Sequence, residues 1–379
     1  VNFRPHVSMP RRTVLRAGGA AALGSALLGI TAGAGRVAAD VGRPLATEIE
    51  PIRARDAQWH QHIWDAGFVM KRVTIGDVGF SYAEGPTNGP AVVLLHAQQM
   101  DWFSYSRVLP KLSKSFHVFD VDYQGHGRTT TPAGYPMNAN RIGTDLASFI
   151  ERVVAEPAYV TGNSSGGLLT TWLTANRADL VLAALLEDPP MFASEYPRIK
   201  KTIADRDFRS SDAAVRKQVD DFLLFWINDN AAFFDKNIGP GSNLALSAAV
   251  QAYRTTHPGQ PVELGMITDD TIRLFLRGMD HQYDPRFGAA FYNGTWNRGF
   301  DHATALRKIT RPTLLLHANY SWIDGDILYG AMDKADADRA MSLLPTGVYK
   351  RIDAGHVTHL DKPAEFIRIV ERFFLDGVG

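Results

Sequence analysis

Short, unbroken apolar runs recur along this chain, and most are followed by a turn and then a helical pattern. The run "AVVLLHA" (residues 91–97) has no polar residue in its first five positions. A strand alternates faces, so a run without alternation is what a strand covered on both faces requires. "HVFDVD", "AYVTG", "LAALLEDPP" and "PTLLLHAN" read the same way. "FVMKRVTI" and "VGFSYAEG" flank Gly76 and Asp77 and read as a hairpin. Strands alternating with helices predict an α/β fold, a mostly parallel central sheet flanked by helices. The 379 residues suit one large domain of this kind with an insertion.

The insertion is visible too. From 191 to 300 the strand signals vanish, and helical periodicity carries many aromatics, among them Phe222, Phe225, Trp226, Phe287 and Phe291. The expected organisation is a core over 67–190 and 301–379 with a helical cap over 191–300. Residues 40–66 form an N-terminal extension. Its "WHQHIW" places His60 and His62 two apart, as one face of a strand would present them. With no third ligand near, a packing or surface role is expected rather than a metal site.

Residues 1–39 read as a targeting segment. Arg11 and Arg12 precede a Gly/Ala-rich, weakly apolar stretch, and "VAA" before Asp40 fits a signal-peptidase site. This resembles a bacterial twin-arginine export signal, which implies an exported protein with no membrane span after cleavage. Lys plus Arg (40) balances Asp plus Glu (40), which argues against a nucleic-acid binder. There is no cysteine, so disulfides and thiolate chemistry are excluded. No H-E-x-x-H, phosphate-binding loop or dinucleotide fingerprint occurs in the expected core, and no cofactor or metal is called for.

"GNSSG" (residues 162–166) fits G-x-S-x-G with Ser164 at its centre, after the strand "AYVTG" and before a helix. A sharp strand-to-helix turn lifts the central hydroxyl above the sheet, and only small residues two positions either side permit it. Ser164 is therefore the candidate nucleophile. Ser165 would serve through its backbone N–H as an oxyanion donor. A serine needs a base, and "AGHVTHLDKPAEF" after the last strand supplies His356, with His359 the runner-up.

With these motifs in place the chain resembles the α/β-hydrolase fold with a helical cap, through "LLHAQ", "DYQGHGRT", "GNSSGG" and "AGHVTHLDKP". The resemblance places the second oxyanion N–H at Gln98, and Ala97 departs from the usual His-Gly pair. It also exposes a gap: Ser321 stands where most members carry the triad acid. Asp324 lies a little further on, and Asp188 in "LLEDPP" ends the preceding strand. "GNSSGGLL", "EDPPMFASE" and "HANYSWIDGD" resemble zearalenone-type lactone hydrolases, which place a carboxylate at the position of Asp188. That resemblance favours Asp188, with Asp324 the alternative and Glu187 a minor candidate. The function implied is hydrolysis of a carboxylic ester or lactone of a largely apolar, aromatic small molecule. Met191, Phe192, Phe222, Phe225 and Trp226 are its candidate contacts. A ligand-binding protein without turnover and a carbon–carbon bond hydrolase are the rivals. A homodimer is one option for assembly.

Overall fold

A computed structural model describes residues 46–377. The twin-arginine segment and its cleavage site lie outside these residues. The strands are β1 (Val69–Ile75), β2 (Val78–Glu84), β3 (Ala91–Leu95), β4 (His117–Asp122), β5 (Ala158–Asn163), β6 (Val181–Glu187), β7 (Thr313–His317), β8 (Ser321–Ile323), β9 (Ile327–Tyr329) and β10 (Gly347–Arg351). Eight of them form one sheet in the order β1-β2-β4-β3-β5-β6-β7-β10, while β8 and β9 pair separately. Only the β1–β2 and β2–β4 pairings in the large sheet are antiparallel.

Helix α1 (Ala46–Asp65) precedes the sheet. Helices α2 (Leu109–Leu112), α3 (Ala139–Phe149) and α4 (Ser165–Asn176) lie between the first six strands. After β6 the chain leaves the sheet through α5 (Ala204–Lys217), α6 (Phe222–Asp229), α7 (Ala231–Asn237), α8 (Ser242–Thr256), α9 (Asp270–Met279) and α10 (Arg286–Tyr292). Helix α11 (His302–Lys308) returns it to β7, and α12 (Lys334–Leu343), α13 (Thr358–Asp361) and α14 (Pro363–Leu375) complete the fold.

Alternation within the buried runs sorts side chains onto two faces. Val93, Leu95, Val160 and Leu186 pack with Leu168 and Leu169 of α4 on one side. Val92, Leu94, Leu185 and Leu316 pack with Phe366 and Val370 of α14 on the other. Helix α4 is buried over Ser165–Thr174. Its threonines survive there because Thr170, Thr171 and Thr174 donate to the carbonyls four residues back, at 2.9, 2.9 and 2.7 Å.

One sequence expectation fails in the N-terminal extension. His60 and His62 lie on helix α1, not on a strand, so they point to different sides. His60 stacks on Phe103 at 3.9 Å between ring centroids, with Nε2 3.3 Å from Glu263. His62 is exposed and meets the ring of Trp59 at its edge.

The register then positions the chemistry. Leu95 pairs with Gly162, Gly162 with Leu186, and Glu187 with Leu316. The carboxyl ends of β3, β5, β6 and β7 are therefore level, and whatever follows each strand emerges at one edge of the sheet. That edge is where parallel α/β sheets place their ligands.

Candidate active site

Ser164 follows β5 directly and has φ 58° and ψ −120°, a conformation that L-residues rarely adopt. Two features hold it there. Its N–H donates to the Glu187 carbonyl at 2.9 Å, and its own carbonyl accepts from Leu168 N at 3.1 Å. The flanking glycines allow the close approach this needs. A Cβ on Gly162 would overlap the Gly166 backbone, and one on Gly166 would overlap the Leu95 carbonyl. The turn is thus packed against β3 as well as built from β5 and α4.

His356 sits in the loop after β10 and lines a cavity together with Ser164. Its Nδ1 donates to Asp188 Oδ2 at 2.7 Å. Asp188 is 1% exposed, and its other oxygen accepts the Ala318 N–H at 3.0 Å. It too has a positive φ, 44°, as the first residue past β6. Both oxygens of the buried carboxylate are therefore paired, which is what keeps such a charge tolerable.

The remaining acid candidates stand elsewhere. Asp324 is in the β8–β9 turn with φ 48° and a largely exposed side chain, facing Lys236 Nζ at 3.9 Å. It makes no contact with His356, and the expectation that it could replace Asp188 is corrected accordingly. Glu187 is fully buried and belongs to the second histidine. It accepts from Thr358 Oγ1 at 2.6 Å, from His359 N at 3.0 Å and from His359 Nδ1 at 2.9 Å. His359 itself stacks on Tyr105 at 3.9 Å. Asn163 Nδ2 adds a bond to the His356 carbonyl at 2.9 Å. Consecutive residues at the end of β6 thus bind the two histidines of one segment: Asp188 holds the His356 ring in the cavity, and Glu187 clamps the start of α13 beside it.

The two serines are distinguished by their partners. The Ser165 hydroxyl is buried against the Tyr123 hydroxyl at 2.8 Å, which leaves its backbone N–H, in the first turn of α4, as the group free of intrahelical bonds. The Gln98 N–H finds no acceptor among the described residues, and its side-chain amide donates to Tyr283 Oη at 3.1 Å. Both residues line the cavity with Ser164. Behind them His96 and His126 are buried against Tyr123, His96 stacked on its ring at 4.4 Å between centroids and His126 tilted against it at 4.5 Å. Burial, above all, lowers the His96 pKa to about 3. The Asp122 carboxyl below is pushed up to about 7, by burial first and then by Asp101.

The cavity has two lobes that meet at Ser164 and His356. Ile199, Ile203, Phe208 and Phe291 wall the first lobe, while Met100 and Phe275 wall the second. None of the five expected contacts does so. Phe222 packs on Tyr283 at 5.0 Å, and Trp226 is fully buried against Phe234, with its N–H on Asp207. Phe225 lies under Lys217. Met191 is core, and Phe192 lies 3.8 Å below the Arg339 guanidinium. These side chains hold the helices together. The signal for the real wall was sparse: Phe208 is the single aromatic of α5. Among the described residues no group of three or more His, Asp or Glu is arranged to hold a metal ion.

Residues 92–369 match the model of a family described as the alpha/beta hydrolase family. A curated relative, the magnesium-chelatase 30 kDa subunit of Rhodobacter capsulatus, is 24% identical over 73% of this chain and 83% of its own. The pyrrolizixenacetamide deacetylase of Xenorhabdus hominickii is 20% identical over 81% of this chain and 98% of its own. Among solved structures, the carboxylesterase CesB (YbfK) of Bacillus subtilis superposes with a TM-score of 0.57 at 16% identity, covering 88% of this chain and 100% of that one.

Proposed function

As the chain belongs to the alpha/beta hydrolase family, we propose that it is a serine hydrolase cleaving a carboxylic ester or lactone of a largely apolar small molecule. One observation carries the reading. A strained serine at a strand-to-helix turn shares a cavity with a histidine whose far nitrogen is bonded to a buried carboxylate.

In this mechanism His356 Nε2 takes the Ser164 proton as the oxygen attacks the ester carbonyl. Asp188 holds the imidazole in the tautomer with Nδ1 protonated and stabilises the imidazolium that forms. The N–H groups of Ser165 and Gln98 receive the oxyanion. The imidazolium returns its proton to the departing alkoxide, leaving an acyl-serine. Water, deprotonated by the same imidazole, then releases the acid and restores the hydroxyl. In a lactone the alkoxide stays tethered, so the released product is a hydroxy acid.

The apolar walls of both lobes support a substrate with little charge, and a lactone with an aromatic ring, of the zearalenone type, is the specific substrate proposed. A hydrolysis screen over aryl esters, aliphatic esters and aromatic macrolactones tests this. Turnover is expected with esters or lactones, and Ser164→Ala should lower kcat by at least about 10⁴-fold. Undiminished hydrolysis by the purified Ser164→Ala protein would refute the assignment.

A further inference from the structure

The β8–β9 hairpin stands between β7 and α12, off the main sheet, and the mechanism uses none of its side chains. It reaches across to the segment that enters the cap. Leu328 bridges to Thr202 in parallel, and Ile203 N donates to the Leu328 carbonyl at 2.9 Å. The Leu328 side chain is fully buried in that contact region. Lys201 bonds Asp326 at 2.8 Å on the outside, though so exposed a pair contributes little. Immediately after β9, Gly330 adopts a φ of 153°, and a Cβ there would press on Tyr320.

Both sides of this seam face the cavity. Ile199, Thr202 and Ile203 line the first lobe from the cap side, and Gly330 and Ala331 line it from the hairpin side. This part of the lobe's wall is therefore one surface made of two segments that are joined through their backbones. Apart from His356, no ionisable side chain lines it.

We propose that the β8–β9 hairpin sets the size of one arm of the ester that the site accepts, through the wall it shares with residues 199–203, and restricts that arm to uncharged groups. This deepens the serine-hydrolase reading and rests on it. An arm of the substrate lies in the first lobe while the carbonyl sits at Ser164, so the distance from Ala331 to the opposite wall limits its bulk. A carboxylate there would be buried with no cation to pair with it.

Two matched substrate series test the proposal on the full chain: 4-nitrophenyl acetate, butanoate and 3-phenylpropanoate vary the acyl arm, and acetates of methanol, butanol and 2-phenylethanol vary the other. Ala331→Phe should lower kcat/KM for the bulky members of one series by about tenfold or more relative to the smallest member, and spare the other series. Ile203→Ala should shift the same ratio the opposite way. Leu328→Ala, which loosens the seam, should relax the size limit on that same arm. A terminal carboxylate on that arm should cost wild type about tenfold or more in kcat/KM. Size ratios unchanged in Ala331→Phe, or both series falling together, would overturn the proposal. So would a size limit untouched in a folded Leu328→Ala protein. Failure of the underlying reading looks different: wild type would hydrolyse no ester in either series, and Ser164 would not react with a small organophosphonate.

Discussion

Asp188 owes its proposed role to where it stands. It is the first residue past β6, level with Ser164 across the sheet, and its two oxygens are taken by the Ala318 N–H and the His356 ring. Asp324 has the same chemistry in water. Asp188→Asn should lower kcat by about 10³–10⁴-fold with the fold intact, because an amide stabilises neither the required tautomer nor the imidazolium. Asp324→Asn should leave kcat within about twofold, since its only charged partner among the described residues is an exposed lysine 3.9 Å away. Steady-state kinetics of the two variants, with thermal melts as a fold control, decide between them. The Ser164 turn and the His356 loop left local signatures in the sequence, a tight turn between glycines and a strand end. The acid carries no signature of its own. Its candidates differ in three-dimensional position, and the resemblance, not the spacing alone, singled out Asp188. Glu187 was hardest to place, because its partner His359 is far along the chain and only the folded register brings the two together.

The turn that carries Ser164 is an element whose geometry depends on what is missing from it. Gly166 has no room for a methyl group, since the Leu95 carbonyl occupies that space. Gly166→Ala should destabilise the protein by about 2–4 kcal/mol, through overpacking against backbone that cannot yield. Gly134 has nothing within 4 Å of an added Cβ, and Gly134→Ala should change stability by less than about 0.5 kcal/mol. Denaturant midpoints of the two variants check the contrast. At this scale the sheet and its order of strands and helices were readable, because buried strands write their burial as continuous apolar runs. The faces of the cap helices were not. Phe222 and Trp226 are aromatic because helices must pack on one another, and Phe208 is aromatic because it faces the cavity. Composition is the same in both cases, and only the packing tells them apart. Helix α1 misled for a related reason: two histidines two residues apart fit a strand face as readily as two sides of a helix.

Across the whole molecule, buried imidazoles tie stability to pH. His302 is fully buried, accepts the Phe192 N–H at Nδ1 at 2.9 Å and donates from Nε2 to Asn297 at 3.1 Å. That pairing requires the neutral ring, and burial lowers its pKa to about 3, against an ordinary 6.5. His96 is lowered similarly, by burial. Between about pH 6.5 and 3 the unfolded chain takes up protons at these rings that the folded chain refuses. Their contribution is thus complete above pH 6.5 and is lost as pH falls toward 3. Replacing His302 with Asn should flatten the dependence of unfolding free energy on pH in that window by up to about 1.4 kcal/mol per pH unit. Urea unfolding at a series of pH values measures the slope, and an unchanged slope would show that His302 does not titrate on unfolding.

The central claim is that the strained Ser164 at the sheet's edge is a nucleophile driven by His356. Its most direct test is treatment of the purified protein with a small organophosphonate, followed by intact-mass and peptide mass spectrometry. The account predicts a single adduct on Ser164, absent in Ser164→Ala, strongly slowed in His356→Ala, and formed in parallel with loss of esterase activity. No adduct on an active protein, or an adduct on Ser165 or any other residue, would contradict it.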